Sequence, residues 1–219
     1  VGALDLYMAK TRRLLTDGGP NFFYSNEVIT DAVNEARRKV ANFTGCLRQL
    51  VVNIPLPSGQ EVYNVSEMID RGTPPNLGSY VIELRGITTY WDGTRVKCVY
   101  RAFSEQDVWF RSFTQGFTGP PASMAMIGSN TVYLNPTPDR DYVSDWDVVF
   151  TAVPLGTSSD LETIPIIYHD CIPYRAASIA KFGEQSLSEA DIYLKQYNNE
   201  MREACFGHFK ARVRDAYRR

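Results

Sequence analysis

Apolar side chains recur at spacings of three and four near both ends of the chain, and at a spacing of two in the region between. Leu4, Met8, Leu14 and Leu15 predict a first helix with a modest apolar stripe, stopped by Asp17-Gly18-Gly19-Pro20. Ser25 or Asn26 then caps a second helix, with Glu27 in the first turn, where the positive end of the helix dipole favours a carboxylate. Val28, Ile29, Ala32, Val33, Ala36, Val40 and Phe43 form its buried face, and Arg37, Arg38 and Lys39 fall near its C-terminal end, where cations suit the dipole.

From Leu47 the period changes. LVVNIPL, EVYNV, YVIELRGITTYW, RVKCVYRA, MAMIG, TVYLNP and DWDVVFTAV are short, rich in β-branched and aromatic residues, and divided by turn material, so they read as about seven strands. The separators include Pro57-Ser58-Gly59, Thr73-Pro74-Pro75-Asn76, Gly119-Pro120-Pro121 and Gly128-Ser129-Asn130, and Asp92-Gly93 is the clearest hairpin turn. Helices resume near Ile164. Ile172, Ala176, Ile179 and Ala180 fit a buried face, with Pro173 placed in a first turn or at a kink. Ser186-Leu187-Ser188-Glu189 fits a capping box ahead of a last long helix with Ala190, Tyr193, Leu194, Tyr197 and Met201 on one face. The fold class is therefore α+β: a helical bundle built from both chain ends, residues 1–46 and 162–219, holding an inserted antiparallel β-sandwich or barrel-like module at 47–161.

Composition adds bounds. A chain of 219 residues with 44% hydrophobic and 22% charged content is ordinary for a soluble globular protein with one core, or one core and a satellite. Apolar runs such as Val148-Val149-Phe150 fall far short of the roughly 20 residues that span a bilayer, and the first residues lack a signal peptide's pattern. Cys46, Cys98, Cys171 and Cys205 are scattered without a CxxC pair, which predicts reduced thiols in a cytosolic fold. A net charge of −2 argues against a strong grip on nucleic acid, since that affinity comes from cations displacing counterions. The exception is the basic end of the chain, from Arg202 onward, which reads as a docking or solvated tail.

Candidate chemistry is sparse. His169-Asp170-Cys171 invites a thiol nucleophile, but residues two apart diverge on a helix and sit too far apart on a strand for a reliable short hydrogen bond. Asp139, Asp141, Asp145 and Asp147 lie close in sequence, yet without the central glycine and terminal glutamate of an EF-hand they read as turn acids ahead of calcium ligands. No phosphate loop, GxGxxG turn or GxSxG elbow occurs. The residues thus predict no catalytic group, no metal and no cofactor. Trp91, Trp109, Phe110, Phe113, Phe117 and Trp146 would make a sugar-stacking face if exposed together, and otherwise serve as core or subunit contacts.

The succession YSNEVITDAVNEARRKV, IPLPSGQEVYNV, TVYLNPTPDRDY and IPIIYHDCIPYRAASIAKFGEQSLSEADIYLKQYNNEM resembles the head-to-tail adaptor, or connector, proteins of tailed bacteriophages, in particular those of short-tailed phages with a β-module between helices. Each piece is a packing or turn pattern, and their order carries the likeness over most of the chain. The resemblance implies a virion protein of the neck, assembled in the host cytoplasm. Its expected partners are the portal protein, a tail nozzle or tail-tube protein, and further copies of itself in a ring, commonly of twelve. Genomic DNA would pass through the lumen without tight binding. It also implies that the C-terminal segment docks on the portal, here through Lys210, Arg212, Arg214, Tyr217, Arg218 and Arg219. Two other classes fit the same composition: another neck or tail-tube component, and a β-sandwich carbohydrate-binding module.

Overall fold

The computed structural model of the chain describes residues 2–19, 23–72, 81–106, 118–128 and 130–210, with side chains through Phe206. In chain order its elements are α1 (Ala3–Leu14), α2 (Asn26–Thr44), β1 (Arg48–Leu56), β2 (Val62–Asn64), α3 (Val65–Asp70), β3 (Val81–Trp91) and β4 (Thr94–Lys97). These are followed by β5 (Val99–Tyr100), α4 (Phe103–Gln106), β6 (Ser123–Ile127), β7 (Thr131–Asn135), β8 (Tyr142–Phe150), a 3₁₀ turn (Ile166–Tyr168), α5 (Cys171–Gly183) and α6 (Leu187–Lys210). The architecture is mixed α+β. Two compact units form, one from Val1–Cys46 with Ala152–Arg219 and one from Leu47–Thr151.

In the helical unit, α1, α2 and α6 all pack on α5. α2 begins where Ser25 Oγ accepts from the Val28 N–H (3.3 Å) and stops at Gly45, whose φ of 59° lets its N–H turn back to Ala41 O (2.9 Å). Ile29, Ala32, Val33, Ala36 and Val40 are buried as the spacing predicts, but Phe43 is 75% and Val28 48% exposed, so the stripe overreached at both ends. On α1 the buried positions are Leu4, Tyr7, Thr11 and Arg12, while Met8 is only half-buried. Asp17 is more than part of a stop signal. It is buried, pairs with Arg12 (2.5 Å) and accepts from the Phe23 N–H (2.7 Å), tying α1 to the entry of α2. Pro173 sits in the first turn of α5, where its missing N–H has no helical partner to lose.

The β-unit holds two open four-stranded sheets, ordered β1-β8-β3-β4 and β2-β7-β6-β5. Both contribute to one core around the fully buried Trp146, with Ile54, Leu56, Ile87, Met124 and Leu134. Neither sheet closes into a barrel among the described residues. Among the described residues the strands pair antiparallel except β5 with β6, which is parallel, as is the isolated bridge between Thr118 and Thr137. That exception corrects the single strand expected over RVKCVYRA. The chain leaves the first sheet at Cys98, whose N–H donates to Ile87 O (2.9 Å), and Val99 joins the other sheet through Ala122 O (2.9 Å). EVYNV is likewise not one strand: Asn64 Oδ1 accepts from the Glu67 N–H (3.3 Å) and starts α3, which buries Val65, Met68 and Ile69. Asp92-Gly93 does form the expected tight hairpin, with φ of 44° and 79° between paired Trp91 and Thr94. Pro55 is tolerated because β1 is an edge strand.

Candidate assembly surfaces of the helical unit

The helical unit is fastened from inside by a charge that sequence reasoning assigned to a helix end. Arg37 is 1% exposed. Its guanidinium donates to both carboxylate oxygens of Glu162 (3.1 and 2.7 Å) and to Val153 O (2.6 Å). Asn34, one turn earlier, donates to Leu155 O (2.9 Å) and accepts from the Leu155 N–H (2.8 Å). Residues 153–161, read from sequence as the end of the β region, are thereby joined with Glu162 to α2. Burial pushes the Glu162 carboxyl up, but hydrogen bonds from Arg37 and from the Ile164 N–H, with the Arg37 charge, outweigh it and hold the group below its ordinary 4.5. Tyr7 is buried beside it, and burial, then the Glu162 charge, push its phenol well up. The signal available in sequence was Arg37's place in the apolar period of α2, between Val33 and Val40.

Outside this lock the unit presents bare apolar side chains. Phe23, Phe43, Phe182 and Phe206 are 78%, 75%, 67% and 63% exposed, and Leu161 and Ile166 are 88% and 79% exposed. Phe182 lines one groove, and Phe43 and Phe206 line another. One, of about 520 Å³, runs between α2, α5 and α6, with Ile179, Phe182, Leu187 and Leu194 on its walls and Glu35 and Asp191 among its lining residues. Arg175 also lines it, with its guanidinium over the Tyr197 ring (5.7 Å). The other, of about 440 Å³, is lined by Phe43, Tyr197, Met201, Arg202, Cys205 and Phe206.

The remaining candidates resolve as scaffold. Cys171 donates to Tyr168 O (2.9 Å), and burial raises its thiol to about 12, while His169 Nε2 is bonded to Ile164 O (2.8 Å), so the pair is not a nucleophile and its base. The four aspartates are each occupied by protein groups. Asp139 accepts from Tyr142 (2.5 Å), Asp141 from the Ser58 N–H (2.8 Å), Asp145 from Tyr90 and the Asn53 N–H, and Asp147 from Arg48. The aromatic set does not gather into a platform: Trp146 is buried in the core, donating to Ser144 Oγ (2.9 Å), and Trp91 is half-buried and donates to Thr89 Oγ1 (2.9 Å). Trp109, Phe110, Phe113 and Phe117 lie outside the described residues. So do the side chains of Lys210, Arg212, Arg214, Tyr217, Arg218 and Arg219, the segment expected to dock. Among the described residues no helix is long and apolar enough to cross a membrane.

The comparison with known families names the kind of protein that carries these surfaces. Residues 3–219 match the family described as SU10 adaptor protein. The chain belongs to this family. The match spans the helical and β-units alike and agrees with the phage head-to-tail adaptor likeness drawn from the order of the sequence pieces. None of the curated proteins compared with the chain matches it. Adaptors of this family are structural phage proteins, and the scaffold roles of Cys171, His169 and the aspartates are in keeping with that.

Proposed function

We propose that this adaptor assembles as a ring, commonly of twelve copies, beneath the portal at the capsid vertex, where it joins the head to a tail nozzle or tail tube and continues the DNA channel. In this reading the helices contributed by both chain ends form a bundle that is the frame, and the β-module is an insertion. The observation that carries the reading is the family match over residues 3–219, together with the bare phenylalanines of the helical unit, which suit a subunit completed by neighbours. The net charge of −2 suits a channel through which DNA moves without being gripped. The portal contact is assigned to the basic end of the chain, where Lys210, Arg212, Arg214, Arg218 and Arg219 pair with portal carboxylates and Tyr217 anchors an apolar end.

The test is mass measurement and negative-stain imaging of the full chain, alone and with the portal ring of the same phage. Portal-dependent appearance of a second ring is expected. A persistent monomer that ignores the portal overturns the reading and favours another tail component. Removing residues 210–219 is expected to abolish portal binding, and unchanged binding by the shortened chain removes the tail assignment alone.

A further inference from the structure

The groove between α2, α5 and α6 has the form of a place left for one more helix. Arg175, Ile179 and Phe182 share one face of α5 and line the groove, whereas Pro173, Ala177 and Ala180 on the opposite face are buried. α1 also packs on α5, and Tyr193 of α6 donates to Leu14 O at its end (2.6 Å). The outward stripe of α1 is Leu6, Ala9, Lys10 and Arg13, all exposed, with Leu6 52% exposed.

We propose that the outward face of α1 in one copy of the chain seats in the α2–α5–α6 groove of a second copy. This rests on the ring reading above and names its subunit contact. Three features make the surfaces complementary. The groove joins apolar walls of Ile179, Phe182, Leu187 and Leu194 to the carboxylates of Glu35 and Asp191 and to one cation, Arg175, whose guanidinium lies over the Tyr197 ring, and the α1 stripe joins Leu6 and Ala9 to the cations Lys10 and Arg13. Seven residues separate Leu6 from Arg13 and Arg175 from Phe182, so each surface runs about 10 Å along its helix axis. Lys10 also pairs with Asp170 (2.8 Å), and Asp191 with Lys195 (2.8 Å), but all four side chains are more than half exposed, so these pairs are weak and exchange readily. The stripe and the groove are different surfaces of the chain, the first on α1 and the second on α2, α5 and α6. The contact is therefore head-to-tail, the kind that closes into a ring when the rotation permits, and not a two-fold pair.

The test uses the full chain with the portal ring and reads second-ring occupancy by mass and imaging. Glu35→Arg with Asp191→Arg is expected to lower ring formation by about tenfold or more, and Lys10→Glu with Arg13→Glu to do the same. Combining all four changes in one chain restores opposite charges between positions 10 and 13 of one copy and 35 and 191 of the next and is expected to recover ring formation. The sites are exposed or half-exposed, and an unchanged melting temperature shows that each variant folds. Wild-type rings with equal assembly by the charge-reversed chains overturn this contact alone, as does loss in both double variants without recovery in the combined one. A wild-type chain that never associates overturns the ring reading and this contact together.

Discussion

The two units solve burial differently. Among the described residues of the β-unit, Trp146 and Tyr63 are 0% and 1% exposed, and the exposed aromatics are tyrosines, Tyr90 at 36% and Tyr100 at 60%. The helical unit buries tyrosines as well, Tyr7, Tyr24, Tyr168 and Tyr197, and with them an arginine, Arg37, while Phe23, Phe43, Phe182 and Phe206 stand mostly in water. A core organised around a paired charge gives a specific register more than raw stability, because desolvating both ions offsets much of their attraction. Bare phenylalanines beside open grooves mark a surface kept for other chains. In the proposed ring the helical unit is the one completed by contact.

The largest test of that contrast removes each centre in turn. Trp146→Ala is expected to cost about 3–5 kcal/mol by cavity formation in the β-unit. Arg37→Ala is expected to cost about 3–5 kcal/mol in the helical unit, by leaving Glu162 buried without its partner. Hydrogen exchange read unit by unit checks both, and loss of protection spread evenly over the chain for either variant breaks the comparison. Next in size is Gly72→Ala, which places a Cβ within 2.3 Å of a Val51 methyl and 2.9 Å of Ile54 Cγ1 and is expected to destabilise the β-unit by about 1–3 kcal/mol, seen in denaturant titration.

Acid gives a smaller effect, because protonating Glu162 releases only part of what its pair with Arg37 supplies. Its carboxyl sits below 4.5 in the folded chain, so its contribution is complete above that value and is lost as pH falls through the lower, folded one. Protection of the helical unit should therefore drop in that window, and Glu162→Gln should flatten the dependence while starting from lower stability. The smallest stability effect is expected at the surface. Phe182→Ser and Phe43→Ser should shift stability by about 0.5 kcal/mol or less, yet reduce association with other copies or the portal, whereas Tyr100→Ser in the β-unit should leave association unchanged. Equal association by all three variants removes the functional half of the contrast.

Much of this was legible along the chain. The apolar period of α2, its Ser25 and Gly45 ends, the Asp92-Gly93 hairpin and the change of period at Leu47 all appear in the fold because each depends on neighbours within a few residues. α3 was also legible and was passed over. Asn64 ahead of Glu67, with Val65, Met68 and Ile69 at helical spacing, is a cap and a stripe hidden by the β-branched run before it. At the candidate surfaces the sequence identified apolar faces, but not which of their residues would be left outside.

What sequence determined by itself was local: where the chain curls, extends and turns, and that its hydrophobic pattern and order of pieces are those of an adaptor. Tertiary structure alone decided that Arg37 is a core residue, since its partners Val153 and Glu162 lie more than a hundred positions away. It also decided that Cys98 is a corner between sheets and that Phe43 and Phe182 remain in water. Periodicity records which side chains share a face. Whether that face is covered depends on how many helices the unit supplies, and this one leaves a groove open.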